Sequence, residues 1–325
     1  MINLNFWLDM AIVVGIYGIL VLGLNLHWGY TGLLNFGHVG FFMVGAYASA
    51  LVTLAPQDAS VEVLFALDQP IVLGMIASIV FAGVAGLLIA LPAIRLGEIA
   101  LALLTLAFAS LIHSLITGEE WLAGGTYGLS NLQKPFGDLI GTSVVLPLPG
   151  GLPSVYVNLW SVVYLGVVLG LLLGTYVLIE RLGSSPFGRV LKGIREDEEV
   201  VEIFGKRTSK FKIYSFVIGA GIAGLSGSLW AHYTGAITPN AFLPTVTFTA
   251  WVAMILGGSG NNRGVLIGAF VLFGSRTMTY FVPDIPGYPN LIPTLRLVII
   301  GVILIALMQW KPEGLFSEQP PAHLE

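Results

Sequence analysis

The sequence predicts an all-α integral membrane protein, a polytopic helical bundle of about nine spans (8–10), with the N-terminus outside and the C-terminus cytoplasmic. Three observations carry this. Of 325 residues, 56% are hydrophobic and only 10% charged, against about 25% charged in soluble domains. No Asp, Glu, Lys or Arg occurs between Met10 and Gln57. Eight of the 14 Lys and Arg residues lie in one stretch, Arg181 to Lys212.

A span needs about 20 apolar residues, so the uncharged stretch holds two. His27-Trp28-Gly29-Tyr30-Thr31-Gly32 is the turn between span 1 (8–26) and span 2 (33–55). Residues 56–69 carry Asp58, Glu62 and Asp68 and no base, as an external loop would. Span 3 covers 70–92, a turn with Arg95 follows, and span 4 covers 98–117. The polar, Gly- and Pro-rich stretch 118–155 is an external segment, and span 5 covers 156–179. After the basic loop come span 6 (213–233) and a short span 7 (245–257), which ends in Gly257-Gly258-Ser259-Gly260. Span 8 covers 265–282, Pro283–Pro289 forms a turn, span 9 covers 291–309, and the tail is 311–325. The whole is one transmembrane domain, 1–325. MINLNFWLDM has no basic leader region, so the first span is expected to act as the targeting signal.

Orientation follows from the positive charges. With the 181–212 loop inside, Arg95, the eight loop residues, Arg263 and Lys311 face the cytoplasm and Lys134 alone faces out. That asymmetry is what membrane insertion favours.

The loop has its own structure. Ser185-Pro186 reads as an N-cap and first helical residue. Phe187, Val190, Leu191 and Ile194 then form one apolar stripe. The acidic run Glu196, Asp197, Glu198 and Glu199 suits the start of a second short helix. Val200, Val201 and Phe204 are its apolar residues, and Gly205 is placed to end it. Both apolar faces need a partner, either the protein's own helix ends or another subunit.

Several chemistries are excluded. Zero cysteines remove disulfides and thiolate chemistry. There is no His-Glu-x-x-His and no acid pair within a span. No phosphate loop exists either, since Gly205-Lys206 is followed by Arg207 and position 200 is Val. Among ionisable residues of the spans, His38, His113, His232, Arg276 and Arg296 stand out, with Glu98 at an end. His232 and Arg296 are read as interfacial. Arg276 either pairs with another subunit or snorkels to the interface. Asn35, Phe36, Gly37 and His38 at the start of span 2 suit an unwound helix beside a polar path. The other reading is a polar helix end packed on a neighbour. Gly257 and Gly258 carry the same two readings.

Five stretches, 32–52 (GLLNFGHVGFFMVGAYASALV), 101–108 (LALLTLAF), 124–132 (GGTYGLSNL), 185–198 (SPFGRVLKGIREDE) and 258–270 (GSGNNRGVLIGAF), occur in this order, followed by WKPEGLF at 310–316. Together they resemble the LivM-type permease subunits of branched-chain amino acid importers of the ATP-binding-cassette class. The resemblance implies a coupling helix with an E-A-A-x-x-x-G pattern that docks on an ATPase. Glu199 to Gly205 fits that spacing, with Val200 and Val201 where the pattern has alanine. The coupling set is then Arg195, Glu196, Asp197, Glu198, Glu199, Val200, Val201, Phe204 and Gly205. The resemblance further implies a second related permease, two ATPase subunits that bind ATP and Mg, an external binding protein, and a home in the bacterial cytoplasmic membrane. It implies no cofactor in this chain, no catalysis by it and no nucleic acid. Transport would proceed by alternating access, with hydrophobic or neutral amino acids as cargo. Urea or short amides are the alternative cargo, and a stand-alone secondary carrier the alternative class.

Overall fold

A computed structural model of the chain describes residues 4–56, 65–93, 97–146, 155–279, 291–311 and 313–317. Asp58, Glu62, Arg95, the Pro283–Pro289 turn and the end of the tail lie outside them. Twelve α-helices and one pair of strands are present among the described residues, with a π-type turn and three 3-10 turns. The helices are α1 Leu4–Asn25, α2 His38–Thr53, α3 Ile71–Ala93, α4 Glu98–Gly118, α5 Glu120–Ala123, α6 Leu159–Ser184, α7 Pro186–Glu196, α8 Glu198–Ile203, α9 Thr208–Thr234, α10 Pro244–Gly257, α11 Asn262–Met278 and α12 Leu291–Trp310. Strands β1 (Ser143–Leu146) and β2 (Val155–Asn158) pair antiparallel in the segment before α6.

Six elements are long and apolar enough to cross a membrane: Leu4–Tyr30, Ile71–Pro92, Glu98–Gly118, Leu159–Ser184, Thr208–Thr234 and Pro239–Gly257. The chain is a polytopic all-α membrane protein. The predicted second span departs from expectation, because its helix begins only at His38 and 33–37 are not helical. Helix α2 is nonetheless the most deeply placed, walled by α3, α9 and α4.

Local sequence sets the element ends. Asn158 accepts from Trp160 N at the start of α6 (3.0 Å), and Asn261 accepts from Arg263 N (3.0 Å) and Gly264 N (3.2 Å) at the start of α11. Ser185 and Asp197 cap α7 and α8. The end of α10 is capped from afar: Leu315 N donates to Leu256 O (2.9 Å) and Phe316 N to Gly257 O (3.1 Å). Without the tail those carbonyls would lack donors.

The body contains an inverted repeat. Helix α1 continues through a wider π-type turn, Leu26–Tyr30, and reaches the end of the bundle that carries α7, where Arg195 donates to Gly29 O. Helix α9 starts at that same end, where Thr208 bonds Glu202, and runs the other way. Both close on the same tripeptide, Tyr30-Thr31-Gly32 and Tyr233-Thr234-Gly235, with the glycines at φ +74° and +72°. The stretches 31–37 and 235–243 follow, the second with a 3-10 turn at Pro239–Phe242, and then come the short helices α2 and α10. Helix α1 packs on α11 as α9 packs on α3, and α1 and α9 pack on each other.

Close approach at the centre depends on glycine. A Cβ on Gly224 of α9 would strike Ser78 O of α3, and one on Gly45 of α2 would strike Gly224 itself. In lipid, such contacts supply the association that water would otherwise drive. Gly224→Val is therefore expected to destabilise the subunit by about 3 kcal/mol or more, read as a lower thermal midpoint in detergent. Gly118→Ala, where nothing lies within 4 Å, should leave that midpoint nearly unchanged.

Candidate functional site

Two regions gather the residues singled out from sequence. The first is the α7–α8 arm. Its two apolar faces have different fates. Helix α7 packs on the protein itself: Leu191 and Ile194 are buried, Phe187 stacks on Phe211 of α9 (5.5 Å), and Lys192 Nζ lies over the Tyr30 ring (5.4 Å). Arg195 reaches Gly29 O and pairs with Glu196 (2.8 Å). Helix α8 is braced by Lys212–Glu198 (2.5 Å), by Thr208 donating to Glu202 (2.7 Å), and by Val201 against Gly193. Its other face is bare. Val200 is 45% exposed, Ile203 82% and Phe204 79%. Gly205 follows at φ +73°, turning the chain back into α9. Glu199 is exposed on the same short helix.

The second region is the break before α2. Asn35 and His38 are fully buried, and with His27 they form a clasp. His27 Nε2 meets Phe216 O (3.0 Å) and His38 Nε2 meets Leu20 O (3.0 Å). A carbonyl only accepts, so each ring carries its proton on Nε2 and offers Nδ1 as an acceptor. The two amide hydrogens of Asn35 fill those acceptors, at 3.0 Å to His27 and 3.3 Å to His38. Asn35 Oδ1 accepts from Gly37 N (3.0 Å), and Asn35 O from Trp251 Nε1 of α10 (3.0 Å). The freed backbone donors are met too. Phe36 N donates to Thr105 Oγ1 of α4 (3.1 Å) and Val39 N to Thr247 Oγ1 of α10 (2.9 Å). Gly37 lies so close to Thr105 O that a Cβ would not fit. Every proton in the clasp is committed, and a relay along it would have to break bonds to main-chain carbonyls.

Of this group Phe36 alone faces partly outward. It packs on Phe248 (5.8 Å) and Trp251 (5.3 Å), and Phe248 is 48% exposed. Thr245 of α10 and Ser110 and Ser114 of α4 are exposed on the helices to either side. At the α7/α8 end lies a cavity of about 560 Å³, lined by Trp28, Glu98, Arg195, Ser259 and Glu313.

The remaining candidates are placed apart. Gly257 packs on Gly264 where α10 crosses α11, and Gly258, at φ +110°, sits against the tail at Phe316 O. Arg276 is exposed on α11, and its carbonyl accepts from Arg296, which also donates to Thr279 (2.8 Å).

His232, expected at the membrane interface, is enclosed by protein near the end of α9. It is fully buried, with Nδ1 donating to Gln133 O (2.7 Å) and Nε2 bonded to Ser49 of α2 (2.9 Å), which meets Ser228 (2.8 Å). A polar partner on each side satisfies both ring nitrogens away from water. Sequence reasoning also passed over Asp9, half-buried and bonded to Tyr233, and Asn262, which joins Asn25 (2.9 Å), Tyr30 (2.9 Å) and Glu180 (2.8 Å). A polar residue at the edge of an apolar run was the available signal for both.

Comparison with known proteins bears on all of this. The family described as branched-chain amino acid transport system / permease component matches residues 6–308. The probable branched-chain amino acid transport permease protein LivM of Methanocaldococcus jannaschii is 29% identical, over 94% of this chain and 92% of its own. The high-affinity branched-chain amino acid transport system permease protein LivM of Salmonella typhimurium is also 29% identical, over 96% of this chain and 70% of its own. The LivH permease protein of Escherichia coli is 24% identical over 88% of this chain and 91% of its own. No solved structure matches the chain.

Asn35→Leu removes both donors to the histidines and the acceptor for Gly37 N. It is expected to cost about 2–5 kcal/mol, seen as a fall in thermal midpoint of the purified protein. An unchanged midpoint would show that the clasp contributes nothing.

Proposed function

The chain belongs to the family of branched-chain amino acid transport permease components, and we propose that it is a non-catalytic, membrane-spanning subunit of an ATP-binding-cassette importer. Its cargo is a branched-chain or neutral hydrophobic amino acid; its LivM and LivH relatives are named for branched-chain amino acid transport. Those names favour this cargo over urea or short amides.

The observation that carries the reading is the bare face of α8. Val200, Ile203 and Phe204 project from a helix whose base is fixed to the body through α7. An exposed apolar patch on a braced helix marks a protein contact. Its partner here is a cleft on an ATPase subunit, with Glu199 and Gly205 setting the ends of the docking helix and Arg195, Glu196, Asp197 and Glu198 its mounting. ATP and Mg belong to that partner. The arm lies in the cytoplasm, the N-terminus outside, and nine elements cross the membrane, α2, α11 and α12 among them.

The assembly comprises this chain, a second related permease, two ATPase subunits and an external binding protein received by the 118–155 segment. The substrate path runs along the α4/α10 face, past Phe36, Phe248 and Thr245, toward the cavity at Glu98 and Ser259. Asn35, Gly37 and His38 hold Phe36 in the wall rather than meeting the substrate. Gly257 and Gly258 shape the inner end of α10. Arg276 stands at the surface, positioned for a partner's polar group or a lipid headgroup.

Ile203→Asp combined with Phe204→Asp is expected to lower ATP-driven uptake at least about tenfold, since the two side chains would dominate a small apolar contact. The amount of folded subunit in the membrane should be unchanged. Normal uptake by this variant would refute the coupling role of α8.

A further inference from the structure

The inverted repeat places an aromatic gate at each end of the α2/α10 pair. Phe36 stands two residues before α2 and packs on Phe248 and Trp251 of α10. Phe242 stands two residues before α10 and packs on Phe42 (5.2 Å) and Tyr47 (5.9 Å) of α2. Phe42 and Phe248 occupy the same place, the fifth residue of their helices. The gate nearer the α7/α8 end is fastened by a hydrogen bond, Trp251 Nε1 to Asn35 O. The opposite gate is not. Tyr47 is 3% exposed and its hydroxyl has no partner among the described residues.

A second unmet atom lies on the same helix interface. His113 Nε2 of α4 is buried without a partner among the described residues. Helices α2 and α4 run parallel, with Gly37 against Thr105 and Gly40 against Ala109. One further helical turn sets His113 beside the stretch of α2 that ends at Tyr47. In a membrane interior an unmet polar atom costs free energy that water cannot relieve. One hydrogen bond, Tyr47 O–H donating to His113 Nε2, would satisfy both.

We propose that Tyr47 and His113 are the latch of the second gate, bonding to each other when the transporter closes at the end opposite α7 and α8. Helix α4 links the two gates, because it also carries Thr105, whose hydroxyl accepts from Phe36 N. A shift of α4 that brings His113 to Tyr47 draws Thr105 away from Phe36. One gate is fastened as the other loses one of its two ties, the bond from Trp251 to Asn35 O remaining, and the two ends are thereby coupled in opposite senses. Both are positioning residues and neither need touch the substrate.

The proposal rests on the importer reading, and the experiment separates the two. The chain has no cysteine, so Thr245→Cys provides a single thiol in it, on the first turn of α10 at the second gate. Its labelling by a membrane-impermeant maleimide is followed in the full complex in vesicles, nucleotide-free and nucleotide-trapped. ATP-dependent uptake by the complex carrying the unaltered chain tests the importer reading alone. Tyr47→Phe and His113→Leu are each expected to raise labelling about tenfold in the protected condition, the scale of one buried hydrogen bond. The double variant should do no more than either single one. In the unlatched condition Tyr47→Phe should leave the thermal midpoint unchanged or higher, because the hydroxyl is unmet there. Labelling unaltered by both single variants, additive effects in the double variant, or a lower midpoint for Tyr47→Phe would each overturn the latch.

Discussion

Lipid offers the backbone no hydrogen-bonding partner, so every interruption of a transmembrane helix must be repaired from within the protein. The break at 31–37 is the place where this constraint is most demanding. Its repairs come from four directions: His27 on the turn after α1, Thr105 on α4, Thr247 and Trp251 on α10, and His38 on α2 itself. The break therefore ties together helices that otherwise touch lightly, such as α4 and α10. It also fixes Phe36 in place between them. A continuous helix would satisfy its own backbone and would need none of these bonds.

The same logic explains the ends of the bundle. At the α7/α8 end, Asn262 gathers α1, α6 and α11 through Asn25, Tyr30 and Glu180. Arg195 fastens the arm to the turn at Gly29. A force applied to α8 thus reaches the turn at the end of α1 directly, and the break before α2 lies a few residues beyond. At the other end, His232 and Gln133 join α9 and α2 to the 118–155 segment. The segment is thereby anchored to α2, the helix that carries Tyr47.

Much of this was legible in the sequence. Ser185-Pro186, the acidic run and Gly205 marked the two short helices, because capping depends on residues next to each other in the chain. The boundaries of α3 and α4 came within a residue of expectation for the same local reason. The apolar stripes of α7 and α8 were visible, but not that α7 would bury its stripe against the body, with Phe187 on Phe211, while α8 kept its own free. Pattern gives the face and only packing gives its partner. Asn35 and His38 were noticed, yet the third member of their clasp, His27, was assigned to a turn. Its role depends on α9 carrying Gly219 and Phe216 to the right depth, which no local signal encodes. The repeated Tyr-Thr-Gly was a short signal of the inverted repeat, diluted because the stretch after the second copy is longer than that after the first.

The central claim is that α8 is the contact through which an ATPase acts on the membrane helices. It is tested most directly by Phe204→Cys, on a chain with no other cysteine, carrying a short photo-crosslinker in native membranes. The account expects one dominant adduct, between this chain and an ATP-binding-cassette ATPase. Adducts to lipid alone, or a site that reacts freely with aqueous reagents while the intact complex is present, would contradict it.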